Sequence, residues 1–115
     1  MVYGGVDYAT GKITYTIAAT KTAVVHNPES NMNNAVGVTK LLKLLGKGIL
    51  AGLGTDGMNS DMLTQMRCAY LLHRLANSDP RVAFLEAPQL LLQNNADIVE
   101  RQFGIRVGEI AVGRP

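Results

Sequence analysis

The chain has 115 residues, 47% of them apolar, with 11 basic and 9 acidic side chains and a formal net charge of +2. That is one domain's worth of polypeptide with enough apolar surface to bury a core, which excludes wholesale disorder. The charges are scattered, so no nucleic-acid face is indicated; the apolar runs are far too short for a membrane span; and a single cysteine, Cys68, excludes an internal disulfide framework.

Taken in chain order, Lys12-Ile13-Thr14-Tyr15-Thr16-Ile17 alternates as a strand does, and Thr10-Gly11 before it predicts a hairpin back onto residues 2–6. Thr22-Ala23-Val24-Val25-His26 is a short apolar run stopped by Asn27-Pro28 and reads as a buried strand. A polar loop is expected over residues 29–34. Val38, Leu41, Leu42 and Leu45 then recur at helical spacing, ended by Gly46 and Gly48. Ile49-Leu50-Ala51-Gly52-Leu53 is a second buried strand, followed by the turn Gly54-Thr55-Asp56-Gly57. Strand, helix, strand at this spacing predicts a βαβ unit, with parallel pairing and a right-handed crossover.

Ser60 is expected to cap the next helix, with Asp61 in its first turn and Met62, Met66, Ala69 and His73 on one stripe. Asn77-Ser78-Asp79-Pro80 breaks that pattern. Pro88 suits a first helical position for a helix through Leu92, and Asn95 suits the cap of a last helix over residues 96–103, closed by Gly104. Residues 107–115 read as a strand. Arg67 and Arg74 are expected on a solvated face, Met62 and Met66 as packing thioethers, and His73 as a structural or solvated helix residue.

In parallel α/β architecture, functional side chains collect at the C-terminal ends of strands. Both buried strands here end in polar motifs, His26-Asn27-Pro28-Glu29-Ser30-Asn31 and Gly54-Thr55-Asp56-Gly57. The two glycines let the backbone turn tightly and leave the Asp56 carboxylate on the rim. Three roles are open to it: metal ligand, base, or cap of the following turn. His26 has two readings, a core histidine bonded to backbone or a residue at the mouth of a site.

The paired motifs resemble the amidohydrolase superfamily, in its aminohydrolase and chlorohydrolase branch. The stretch over residues 24–36, with Asn31-Met32-Asn33-Asn34-Ala35-Val36-Gly37 continuing it, is most similar to the SsnA-type aminohydrolases. The resemblance covers residues 20–113, whereas residues 1–19 show no family likeness. It implies an α/β fold that is a partial (β/α) barrel, strands seven and eight with their helices; the hairpin expected before them comes from the alternation alone. The resemblance also implies hydrolysis of a C–N or C–Cl bond on a small heterocyclic molecule, with zinc or iron as the divalent metal. Asp56 matches the aspartate that contacts the metal and shuttles a proton, while His26, Asn27, Ser30 and Asn31 would lie near substrate.

Members of that family also carry a His-x-His pair after strand one and single histidines after strands five and six. This chain has two histidines, His26 and His73, and neither stands at such a position. A catalytic zinc takes three protein ligands, so the chain by itself is expected to hold no metal and to be inactive. The competing expectation is a non-catalytic α/β module that self-associates through the strand edges left open in a cut barrel. Neither reading involves nucleic acid or membrane; both anticipate a homo-oligomer. With no signal peptide visible, a soluble, cytoplasmic protein is expected.

Overall fold

The computed structural model describes residues 21–114; the hairpin expected over residues 2–17 lies outside them. Two three-residue strands, β1 (Val24–His26) and β2 (Ala51–Leu53), pair in parallel in the register Val24 with Ala51, Val25 with Gly52 and His26 with Leu53. Backbone bonds extend the ladder at both ends, from Val24 N to Leu50 O at 2.9 Å and from Gly54 N to His26 O at 3.0 Å. The strand, helix, strand order read from the sequence is thus the one formed, and both strands end on the same rim.

Two short helices join the strands, α1 (Pro28–Asn33) and α2 (Leu41–Gly46). Helix α1 replaces the loop expected over residues 29–34. Pro28 stands at its start, where a missing N–H costs nothing, and Glu29 places a negative charge at the positive end of the helix dipole. Helix α2 ends at Gly46, and Gly48, with φ of +70°, turns the chain toward β2.

Helix α3 (Met62–Asn77) is capped by Asp61 rather than Ser60. The Asp61 carboxylate accepts from Leu63 N at 3.0 Å, Thr64 N at 3.1 Å and Thr64 Oγ1 at 2.7 Å, meeting donors that the first turn leaves without helical partners. The expected stripe is present but shifted. Gln65, Ala69 and His73 are its buried members, with Met62, Met66 and Tyr70 packed beside the core. Ser78 ends the helix in the left-handed conformation. Arg74 is not simply solvated: its guanidinium lies 3.7 Å from the centre of the Tyr70 ring and donates to Val82 O.

The last helical stretch is continuous through α4 (Glu86–Gln89), a π-helical turn (Leu90–Asn94) and α5 (Asn95–Phe103). Pro88 therefore sits inside the first turn instead of opening it, at a position whose N–H has no intrahelical acceptor. Asn95 lies within the helix and caps nothing in it. Gly104 closes the helix at φ of +69°, as its position suggested. Residues 107–114 form no strand; Arg114 and Arg106 instead pair with Glu109.

The main core gathers Leu41, Ala51, Leu53, Ala69, Ala87 and Leu90, so β2 is wedged between α2, α3 and the last helical stretch. A second cluster of Leu44 and Ile49 with Val24 seals the far end of the strand pair. Outside it, Leu63, Leu75, Leu85 and Phe103 leave more than half of their surface exposed. No helix among the described residues is long and apolar enough to cross a membrane.

Candidate functional site

The two strand-ending turns meet. Ser30, buried in α1, donates from Oγ to Asp56 Oδ2 at 2.8 Å, and Asn34 Nδ2 donates in turn to Ser30 Oγ at 3.3 Å. Asp56 itself is exposed and sits at φ of +52°, a left-handed conformation that aspartate tolerates better than most side chains. Its carboxylate is thus held by Ser30 through one oxygen, Oδ2. Asn27 belongs to the same junction. A Cβ on Gly54 would overlap Asn27 Oδ1 and Val25 Cγ1, so only glycine lets the turns approach this closely.

Helix α1 is fixed from behind by α3. The Gln65 side chain, fully buried, accepts from Glu29 N and donates to the Glu29 carboxylate, which also accepts from Asn59 Nδ2 in the turn after β2. This network explains how Ser30 arrives beside Asp56: Glu29 is tied to the second strand's turn and Ser30 follows it. Gln65 does not stand out in the sequence, where a glutamine on a helix stripe carries no distinguishing signal.

Of the residues expected near substrate, Asn27 and Ser30 lie at this junction. Asn31 is half-buried, and its Nδ2 is 3.4 Å from Thr39 Oγ1. His26 goes elsewhere. Its ring is 2% exposed and points to the helices, with Nε2 3.0 Å from Nε2 of His73. Two facing ring nitrogens share one proton, so both rings are neutral with one donating to the other. His26 Nδ1 is buried without a partner, which assigns it the bare nitrogen and Nε2 the proton, because an unpaired acceptor costs less than an unpaired N–H. Burial, and then the neighbouring His73, push the His26 pKa down to about 4; burial lowers that of His73 as well. His73 is therefore a buried partner of His26, not a solvated residue.

Cys68 is not activated: burial and the nearby Glu29 carboxylate raise its pKa. An open groove of about 450 Å³ between α2 and the end of α3, lined by Thr39, Lys40, Leu41, Lys43, His73 and Asn77, contains none of the rim residues. Among the described residues no three His, Cys, Asp or Glu side chains converge in a way that could hold a metal ion. The donor set on this rim is one carboxylate, which suits one position of a divalent-metal site and does not complete one.

Residues 6–115 match the model of the amidohydrolase family. The chain is 44% identical over 94 residues to a 5-methylthioadenosine/S-adenosylhomocysteine deaminase from Thermococcus onnurineus, covering 78% of this chain and 22% of that protein. A protein of the same name from Thermococcus kodakarensis is 45% identical over 87 residues, covering 71% and 20%. One from Syntrophobacter fumaroxidans is 39% identical over 95 residues, covering 79% and 22%. The chain thus spans about a fifth of the length of these relatives. No solved structure gives a significant match.

Proposed function

The chain belongs to the amidohydrolase family and is of aminohydrolase type, and from that premise we propose that it is the part of a metal-dependent deaminase that carries the rim carboxylate. In this reading β1 and β2 are the last two strands of a (β/α) barrel. The substrate is a small aminated heterocycle of the adenosine class, as the names of the relatives suggest. The single observation that carries the reading is the bond between Ser30 and Asp56, which joins the turns of two parallel neighbouring strands at their C-terminal ends.

Asp56 has two tasks in this proposal. It offers one oxygen toward a divalent metal whose other ligands come from chain outside these residues. It also accepts a proton from the attacking water and returns it to the departing amine, so that water and the C–NH₂ group become a ring carbonyl and ammonia. The Ser30 bond to Oδ2 leaves Oδ1 for that exchange. Asn27, at the same junction, and Asn31 are proposed to face substrate, while His26 supports the rim from beneath through His73. The exposed side chains of Leu63 and Leu75 on α3 and of Leu85 in the turn before α4 support the idea that further protein packs on this segment. Self-association through the outer edge of β2 has less support, since the Asn94 and Asn95 side chains occupy that edge.

The test is a chimera in which residues 20–113 replace the matching segment of the Thermococcus onnurineus deaminase, assayed for metal content and for ammonia release from 5-methylthioadenosine. Retained metal and turnover are expected, with turnover falling at least a hundredfold on Asp56→Asn, in line with loss of a general acid–base group. The 115-residue chain alone is expected to bind no stoichiometric zinc. A chimera that keeps its metal yet releases no ammonia overturns the proposal, as does turnover by the isolated chain.

A further inference from the structure

The outer edge of β2, the side turned away from β1, is not left to solvent. In the parallel ladder Leu50 and Gly54 bond toward β1, so Ala51 and Leu53 direct their backbone groups the other way. Both meet side-chain amides from the π-helical turn and the start of α5. Asn94 Nδ2 donates to Ala51 O at 2.6 Å. Asn95 accepts from Leu53 N at 2.9 Å and donates to Leu53 O at 3.0 Å. One asparagine amide thus makes both bonds that a neighbouring strand would make to Leu53.

Two further features are specific to this arrangement. Gly52 has no side chain where one would collide with Asn95 Oδ1 and come within 2.7 Å of Ile98 Cδ1, so the strand is shaped to admit the amide. Consecutive residues of a regular α-helix point about 100° apart; the widened π turn ending at Asn94 lets Asn94 and Asn95 both reach one strand edge. The bonds to Leu53 fall directly before Gly54-Thr55-Asp56, on the opposite side from the bond between Gly54 N and His26 O. The strand end that launches Asp56 is therefore gripped from both sides.

We propose that Asn95 is a positioning residue for Asp56, fixing the exit of β2 through Leu53 so that the carboxylate meets Ser30. The importance of Asp56 rests on the deaminase reading above; the clamp can be measured without it. The experiment uses the 115-residue chain, with amide hydrogen exchange at Leu53 and the side-chain carboxyl carbon resonance of Asp56 followed by NMR. Asn95→Ala is expected to speed exchange at Leu53 on the order of tenfold, the scale of a lost hydrogen bond, and to move the Asp56 and Ser30 resonances while those of Asp61 and Asp79 stay in place. Gly52→Ala, which displaces the amide without changing it, is expected to reproduce that pattern. Asn95→Asp, which keeps the acceptor for Leu53 N and loses the donor, is expected to fall between.

A merely structural role is separated by Asn94→Ala. This variant loses a bond of the same kind two residues further from the turn, and is expected to leave the Asp56 resonance unmoved. Unchanged exchange at Leu53 in the Asn95 and Gly52 variants would overturn the proposal. So would faster exchange there with Asp56 and Ser30 undisturbed, or an Asn94→Ala variant that shifts Asp56 as far as Asn95→Ala does. Should the clamp stand while the chimera releases no ammonia, the deaminase reading fails and the positioning of the turn does not.

Discussion

The turns that follow β1 and β2 leave the same rim one strand apart, yet they are built in opposite ways. After β1 the chain winds at once into helix α1, buries Ser30 and turns His26 inward. After β2 it stays irregular, exposes Asp56 and holds that residue at a positive φ. The first turn is tied down by Gln65 from α3; the second is tied to the first by Ser30. One turn therefore supplies rigidity and the other supplies an exposed carboxylate, a division that suits a site needing such a group in a fixed place.

The largest expected effect breaks the rigid side. His26 and His73 are buried as neutral bases, and the folded pKa of His26 is about 4 against an ordinary histidine value of 6.5. Below the unfolded value the unfolded chain takes up more protons than the folded one. The contribution of the pair is thus complete above pH 6.5 and lost as pH falls toward 4. That loss is about 3 kcal/mol, since each tenfold change in proton affinity corresponds to about 1.4 kcal/mol. Chemical denaturation across that range should show this acid limb, and a His26→Leu, His73→Leu double variant should flatten it. An intermediate effect is expected from Ser30→Ala, which cuts the tie between the turns. A loss of about 1 kcal/mol in denaturant unfolding is expected, at the low end for a bond to a charged group because Asp56 is exposed. The smallest effect should come from Asp56→Asn. Asparagine also tolerates the left-handed conformation and keeps an acceptor for Ser30, so the same measurement should change by less than about 0.5 kcal/mol. A large loss there would show that the second turn is part of the fold's support after all.

What can be read from the sequence follows the range of the interactions. The β-branched run before Asn27-Pro28 and the apolar run before Gly54 are enough for two parallel strands, because each strand announces itself locally. Only β2 is buried as expected; Val25 in β1 is half exposed, since no helix among the described residues covers that side of it. Helix α1 is hidden under its asparagines, although Pro28 followed by Glu29 is a helix start; the polar composition of the stretch masks the signal carried by position. Asp61 rather than Ser60 caps α3 because Asn59 Oδ1 accepts from its N–H at 2.8 Å and sets its backbone, a local effect that neighbouring side chains of similar capping strength conceal. Pro88 points to a helix start two residues late for the same reason that it is tolerated there: several first-turn positions lack an acceptor for the N–H. The candidate carboxylate stands out by its flanking glycines. Its supports do not, since the histidine pair joins residues 47 apart and the asparagine clamp joins residues 42 apart. Nothing in either local stretch encodes the other.

That separation has a bearing on the order of events as the polypeptide is made. Synthesis runs from the amino end, so β2 and the acidic turn emerge well before Asn95, and Leu53 has only water for its outward backbone groups until the last helix arrives. The strand end below the aspartate is consequently completed last, when docking of the helix that carries Asn95 adds its two bonds to those already offered by Ser30 and His26.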